Sequence, residues 1–366
     1  MTSETIYLWG WLPSAVQPIV VGGLQRRGRL HTFAYARSYL EHPRAIPLYA
    51  IPLERGAQHP PEGMTLHGAI RDALPDSWGQ RVIASRLLGV RGPDLDVGDV
   101  ALATYMLESG SDRFGALDFQ ASAFQYQPRT TGSASVEDLI NAADLIDEGL
   151  PLPAALSTAF EHGTSVGGAR PKVTTVDSEG RSWIVKLSST TDIRPVVRLE
   201  ALAYELARRA GIPVTSTKLT RIAGHDCLWV ERFDRTRAGR HMAVSGLTLC
   251  QLDEMVGRYA TYPTILTALR AHGTDPGPEL FCRVALNIAL GNSDDHARNL
   301  AALWDGRVLR LAPAYDLEPC RSTGWDSNQA MAYGEAGQRA SSLRQLVACH
   351  GIYSLTKAQA AGIVEG

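Results

Sequence analysis

Cysteine is scarce in this chain of 366 residues: there are five, Cys227, Cys250, Cys282, Cys320 and Cys349, and no two stand at Cys-x-x-Cys spacing. That removes the usual signature of a zinc ribbon or a dithiol redox pair. The thiols are expected to be reduced and mostly buried, in a cytoplasmic protein. Also missing is any run of 18 apolar residues, and the N-terminus lacks a basic-then-apolar signal pattern, so no membrane segment is expected. Nor is there an excess of one charge. Lys and Arg number 36 against 38 Asp and Glu, a net charge of −2, which gives no electrostatic case for the chain holding nucleic acid by itself. No internal repeat or low-complexity tract is visible. What remains is 45% hydrophobic and 20% charged, a soluble globular composition with length for two or three domains.

The most informative segment runs from Gly291 to Leu300, reading Gly-Asn-Ser-Asp-Asp-His-Ala-Arg-Asn-Leu, and is followed by Leu311-Ala312-Pro313-Ala314-Tyr315-Asp316. Upstream, Phe281, Val284, Ala285, Ile288 and Ala289 recur at helical spacing and predict a buried helix face, with Gly291 as its stop. Leu300–Trp304 and Arg307–Leu311 read as strands joined by a two-residue Asp305-Gly306 turn. The hairpin would bring Asp316 back beside the loop that carries Asp294 and Asn299. Phosphoryl transfer of the kinase type uses this combination: a carboxylate for the acceptor hydroxyl, then an Asn and a second Asp to hold Mg²⁺. A solvated turn rich in Asp and Asn is the plain alternative. His296 reads as a loop-ordering hydrogen bonder, since no second His or Cys stands at zinc spacing near it.

A second signal lies upstream. Gly163 to Lys172 is a Gly-containing loop opening onto a predicted strand (172–176), a turn (177–180) and a second strand (181–187) that carries Lys186. Glycines let backbone amides approach phosphate closely, and a Lys on the next strand could reach it as a point charge. The loop matches neither a Walker motif nor Gly-x-Gly-x-x-Gly, and an ordinary surface loop is an equal reading. Residues 196–210 are predicted helical, with Leu199, Leu202 and Leu206 as the apolar stripe and Gly211 as the stop. Glu200 on its flank would suit a partner for Lys186, or a solvated surface. Strands are predicted at 214–222 and 227–233. The N-terminal part is strand-rich (5–12, 18–22, 30–35), with helix at 66–88 interrupted at Pro75. Gln127 to Ser133 is the best linker, and Ser135 with Asp138 caps a helix running to about residue 148. Loop, hairpin with Lys, helix with Glu, hairpin, helical region, acidic loop, hairpin and Asp follow in the order of a protein-kinase-like core.

Several of these segments resemble the HipA family of serine/threonine kinase toxins from toxin–antitoxin systems. Ser165-Val166-Gly167-Gly168-Ala169-Arg170-Pro171-Lys172 is similar to the family's Ser-containing phosphate loop, and Ile184-Val185-Lys186-Leu187 to its ATP-contacting strand. Glu231-Arg232-Phe233-Asp234-Arg235 resembles the segment near the adenine-binding hinge. Asn292–Asn299 resembles the catalytic loop and Ala312–Asp316 the metal-binding segment. Leu74-Pro75-Asp76-Ser77 and Asp112-Arg113-Phe114-Gly115-Ala116 resemble N-terminal signatures of the family.

The resemblance implies an α+β fold: a two-lobed protein-kinase-like core preceded by a mixed α/β domain. Its parts would be an N-terminal domain (1–126), a linker (127–134), an N-lobe with the phosphate loop (135–240) and a mostly helical C-lobe with the catalytic loop (241–366). It implies ATP and Mg²⁺ as cofactors, with Asp294 as the catalytic carboxylate and Arg298 beside it toward the γ-phosphate. Asn299 and Asp316 would be the metal ligands. Lys186, Ser165, the amides of Val166, Gly167, Gly168 and Ala169, and Glu231 and Phe233 would contact ATP, and Ser165 would be a regulatory phosphorylation site. Asp295, next to Asp294, leaves the choice of base open; the five-residue offset to Asn299 favours Asp294. Arg170-Pro171 would stiffen the phosphate loop. The chain ends sooner after Asp316 than the family usually does, as a compact or a shortened member would. The implied partners are a helix-turn-helix, HipB-like antitoxin, DNA reached only through it, and a protein substrate of the aminoacyl-tRNA synthetase kind. Two rival functions stand beside this one: a catalytically silent ATP-binding subunit of an antitoxin–DNA complex, and a small-molecule kinase of similar fold.

Overall fold

The computed structural model describes residues 5–75, 77–89, 95–129, 135–147, 150, 172–189, 192–237, 239–319 and 327–365. The phosphate-loop residues Ser165 to Ala169 lie outside them. The chain divides into two compact units, one made of residues 1–197 and 217–242, the other of 198–216 and 243–366. Among the described residues no helix is long and apolar enough to cross a membrane.

In the first unit, β1 (Ile6–Gly10), β2 (Ile19–Arg27), β3 (Leu30–Tyr35) and β4 (Leu117–Gln120) form a sheet in the order β3-β2-β1-β4. Its inward positions, Leu8, Leu24, Phe33 and Phe119, are fully buried. Helices α1 (Ser77–Leu88) and α2 (Leu102–Glu108) lie between β3 and β4 in the chain, and α3 (Val136–Asp147) follows β4. The start of α3 is a reciprocal cap: Asp138 N donates to Ser135 Oγ at 3.0 Å, and Ser135 N to the Asp138 carboxylate at 2.9 Å.

A second sheet in this unit has the order β5-β6-β8-β7, built from β5 (Lys172–Val176), β6 (Ser182–Leu187), β7 (Thr217–Ile222) and β8 (His225–Glu231). Strand alternation sorts its residues. Val173, Val185, Leu187 and Cys227 bury one face against Val82 of α1 and Ile140 and Ala142 of α3. The β5–β6 turn is held by the Asp177 carboxylate, which accepts from the Glu179 and Arg181 amides, each at 2.9 Å, and from the Trp183 indole at 2.8 Å. Ala223 and Gly224, both at positive φ (49° and 89°), make the tight β7–β8 turn. A short ribbon, β9 (Arg235–Thr236) with β10 (Gly239–Arg240), closes the unit.

Helix α4 (Val196–Arg209) carries the chain into the second unit. Its apolar stripe is not the leucine row. Leu202 and Leu206 are 54% and 38% exposed, while Glu200, Ala203, Tyr204 and Ala207 are buried. The small Ala203 and Ala207 let the backbone pack closely on that face, and Tyr204 brings a hydroxyl that is used there. The second unit then contains α5 (Tyr262–Ala271), α6 (Gly277–Leu290), α7 (Leu343–Ala348) and α8 (Lys357–Glu365). A sheet of β11 (Met242–Ser245), β12 (Ala301–Trp304) and β13 (Leu309–Leu311) completes it. Along α6 the buried face holds Phe281, Val284 and Ala285, as the periodicity predicts, but also Arg283 and Asn287, and Ala289 faces solvent.

Candidate active site

The loop after α6 is shaped from its first residue. Gly291 adopts φ 67° and ends the helix with its amide on the Ile288 carbonyl at 3.2 Å. A glycine takes this left-handed conformation without the Cβ penalty other residues meet. Asn292 N then donates to the Asn287 carbonyl at 2.8 Å, and its side chain bridges two elements. Its Nδ2 donates to Asn287 Oδ1 at 3.0 Å, and its Oδ1 accepts from Asp294 N at 3.2 Å.

The two adjacent acids part here. Asp294 is exposed; Asp295 is buried. The Asp295 carboxylate accepts from Asn287 Nδ2 at 2.7 Å and from the Tyr262 hydroxyl of α5. Burial pushes the Asp295 carboxyl up to about 6, against the pull of the Tyr262 hydrogen bond and the Arg283 and His296 charges, while the negative charge of Asp316 adds to the rise. A continuous polar path thus joins Tyr262, Asp295, Asn287, Asn292 and the amide of Asp294. Residue 295 is an internal fixture of the loop, and residue 294 is the carboxylate that solvent can reach.

The far end of the loop is fastened as firmly. Asn299 N donates to the His296 carbonyl at 2.8 Å, and Asn299 Nδ2 to the Asp294 carbonyl at 3.1 Å. With its amide nitrogen so committed, the amide oxygen is the group Asn299 could offer to a metal ion. Gly246 N bonds the Leu300 carbonyl at 2.7 Å and Leu247 N the Ala297 carbonyl at 3.0 Å, which ties the loop to the chain after β11. Arg298 pairs with Glu254, and its carbonyl accepts from the Tyr315 hydroxyl at 2.7 Å.

The hairpin differs in one respect from expectation. Trp304 pairs with Leu309, so the connection is four residues, 305 to 308, rather than the two of Asp305-Gly306. The Asp305 side chain accepts from the Arg307 and Val308 amides (3.1 and 2.8 Å), and capping two amides needs the longer loop. The return is in register: Ala302 lies opposite Leu311, and Ala312 N donates to the Ala301 carbonyl at 2.9 Å. Beyond it, Ala314 bridges Val214, and Asp316 N donates to the Tyr204 hydroxyl at 3.2 Å. Asp316 sits at φ 59°, a strained conformation for a non-glycine residue. Its charge is felt by Asp295. Loop and Asp316 segment therefore meet within the second unit.

The donor set suits Mg²⁺. It offers hard oxygens, one carboxylate at Asp316 and one amide oxygen at Asn299, with the Asp294 and Asp295 acids nearby. Among the described residues no group of three or more His, Cys, Asp or Glu forms a closed cage. An ion that keeps waters and takes its remaining ligands from phosphates needs no such cage.

In the first unit, Lys186 lies on the β6 face opposite Val185, directly across from Lys172 on β5 and Leu228 on β8. Glu231 ends β8, paired with Trp183. Phe233 meets Phe114 edge-on at 6.1 Å between ring centroids. Glu200 is buried, not the solvated flank residue that the sequence allowed. Sequence reasoning missed Tyr262 and Asn287, although a polar Asn four residues before the helix stop, on an otherwise apolar face, is a usable signal.

Residues 164–365 match the profile of the HipA-like C-terminal domain, and residues 15–120 that of the HipA N-terminal domain. The Sinorhizobium fredii protein named "Putative kinase Y4mE" is 27% identical over 318 residues, 78% of this chain and 71% of its own length. The solved structure of Shewanella oneidensis HipA, in complex with HipB and operator DNA, superposes with a TM-score of 0.65 at 16% identity, covering 98% of this chain and 87% of that one. That likeness shows the α+β fold of HipA.

Proposed function

This chain belongs to the HipA family, and on that premise we propose that it is an ATP- and Mg²⁺-dependent serine/threonine protein kinase of the cytoplasm, the toxin of a toxin–antitoxin pair. The observation that carries the reading is the pairing of one exposed carboxylate, Asp294, with Asn299 and Asp316 in a loop whose other acid is locked inside. The kinase name of the Sinorhizobium fredii relative supports the same chemistry.

In this reading Asp294 orients the acceptor hydroxyl and takes its proton. Asn299 and Asp316 hold Mg²⁺, which when bound neutralises charge on the transferring phosphates. Lys186 and Ser165 contact the ATP phosphates, the amides of Val166 to Ala169 cradle them, and Glu231 and Phe233 flank the adenine. Arg298, held by Glu254, turns toward the γ-phosphate when that pair opens. Ser165 accepts a regulatory phosphate whose charge of about −1.5 to −2 would repel the nucleotide.

The HipB and operator DNA bound by the Shewanella protein support a helix-turn-helix antitoxin as partner here, with DNA reached through it. The substrate is then a protein, of the aminoacyl-tRNA synthetase kind. The test is incubation with labelled ATP, Mg²⁺ and cell lysate. Label on one protein band is expected. No label would instead favour a silent ATP-binding subunit, and label among small molecules a small-molecule kinase.

A further inference from the structure

Asp112-Arg113-Phe114-Gly115 and Arg232-Phe233-Asp234-Arg235 are far apart in sequence, yet they are locked together in one buried ion cluster within the first unit. Arg232 donates to the Asp112 carboxylate at 2.7 Å, to Asp234 Oδ2 at 2.8 Å and to the Arg113 carbonyl at 2.6 Å. Arg235 donates to the same Asp112 oxygen at 2.8 Å, and to the Gly115 carbonyl at 2.8 Å. In return Gly115 N donates to Asp234 Oδ2 at 2.7 Å. Side chains 232, 234 and 235 are only 1%, 4% and 8% exposed. The turn bearing Asp112 is anchored from behind, where the fully buried Arg113 bonds Asp118 at 2.7 Å and the Ala73 and Met106 carbonyls at 3.0 and 2.7 Å.

Adjoining these clamped residues are the two that the proposed function places against adenine. Glu231 immediately precedes Arg232, and Phe233 sits between Arg232 and Asp234 with its ring against Phe114. The cluster thus ties the backbone from 232 to 235 to the turn at 112–115. Asp112 and Asp234 are each shared by both arginines, and Asp112, at 35% side-chain exposure, is the one at the rim. Burial would raise its carboxyl, but the charges of Arg232, Arg235 and Arg240 hold it well below the usual carboxylate range.

We propose that Asp112, carried by the N-terminal domain, is a positioning residue for nucleotide: by clamping Arg232 and Arg235 it sets the hinge segment 231–235, so that the N-terminal domain governs ATP affinity without touching ATP. The inference rests on the reading of Glu231 and Phe233 as nucleotide contacts. It also gives events on the N-terminal domain, antitoxin contact included, a physical route to the ATP site. Coupling of that kind is reciprocal, so ATP would tighten whatever the ordered cluster favours.

The test uses the full chain and calorimetric titration with ATP. If Asp112→Asn leaves the ordered hinge populated only about a tenth of the time, ATP affinity falls about tenfold, while turnover at saturating ATP stays within about twofold. Asp112→Glu, which restores the charge, is expected to recover most of the affinity. Arg129→Ala is the control. Arg129 bonds Asp118 at 3.0 Å and the Phe119 carbonyl at 2.7 Å, neither of them a residue of the hinge segment. It should lower the unfolding temperature yet leave ATP affinity unchanged. If Asp112→Asn does not fold, Phe114→Leu keeps every charge and is expected to weaken ATP binding in the same direction. The proposal is overturned if the hinge variants bind ATP as the wild type does, or if Arg129→Ala loses affinity in proportion to its lost stability. Wild-type protein that binds no ATP would overturn the nucleotide reading as well, and only that result touches it.

Discussion

Replacing Asp295 by Asn should change how stability depends on pH, in a direction set by the burial of its carboxyl. In the folded chain that carboxyl titrates near 6, against an ordinary value of 3.8. The folded state therefore favours the protonated form. The stability this group contributes is full below pH about 4 and is lost as pH rises through about 6. The gap corresponds to about 3 kcal/mol, as an order of magnitude for a group this buried. Asn carries no charge and keeps an amide oxygen for the Tyr262 hydroxyl and Asn287 Nδ2. Some of the charge-assisted hydrogen bonding is lost, about 1 kcal/mol, at every pH where wild type is ionised. Measured by urea unfolding at matched pH, the stability of wild type relative to Asp295→Asn should fall by about 3 kcal/mol between pH 4 and pH 8. Other carboxylates titrate in both proteins and cancel in the difference. Parallel profiles would refute the assignment of Asp295 as the buried acid.

Asn299→Ala and Asp316→Ala should each weaken Mg²⁺-dependent ATP binding by calorimetry, since each removes a hard oxygen donor; unchanged metal dependence in both would place the site elsewhere. Gly291→Ala forces a Cβ into φ 67° and should cost about 1 kcal/mol in urea unfolding. A smaller loss would mean that the helix end relaxes. Without an antitoxin the purified chain should give no sequence-specific gel shift at near-physiological salt, as its net charge of −2 suggests; a tight specific complex would contradict this.

How legible the site was depended on the range of the interactions that build it. The turn at Gly291 and the hairpin that returns Asp316 are local, and the sequence carries them in a helix period, a helix stop and two short strands. The offset to Asn299 favoured Asp294 over Asp295, but the sequence did not show Asp295 as the buried acid, because what holds it inside is a hydrogen bond from Tyr262, on another helix. Leu202 and Leu206 misled for a related reason. The α4 face that packs is chosen by the small Ala203 and Ala207 and by the Tyr204 hydroxyl, not by summed hydrophobicity. The cluster joining Asp112 to Arg232 and Arg235 spans more than a hundred residues of chain. Its members read as ordinary charged motif residues until the fold sets them together.

The central claim is that the exposed carboxylate of this loop, and not the buried one beside it, serves the phosphotransfer. The direct measurement is transfer from labelled ATP, with Mg²⁺ and lysate, by Asp294→Asn and Asp295→Asn side by side. Asp294→Asn should lose on the order of 10²-fold or more in rate while still folding and binding ATP, and Asp295→Asn should keep substantial activity. Near-wild-type transfer by Asp294→Asn, with Asp295→Asn inactive, would contradict it.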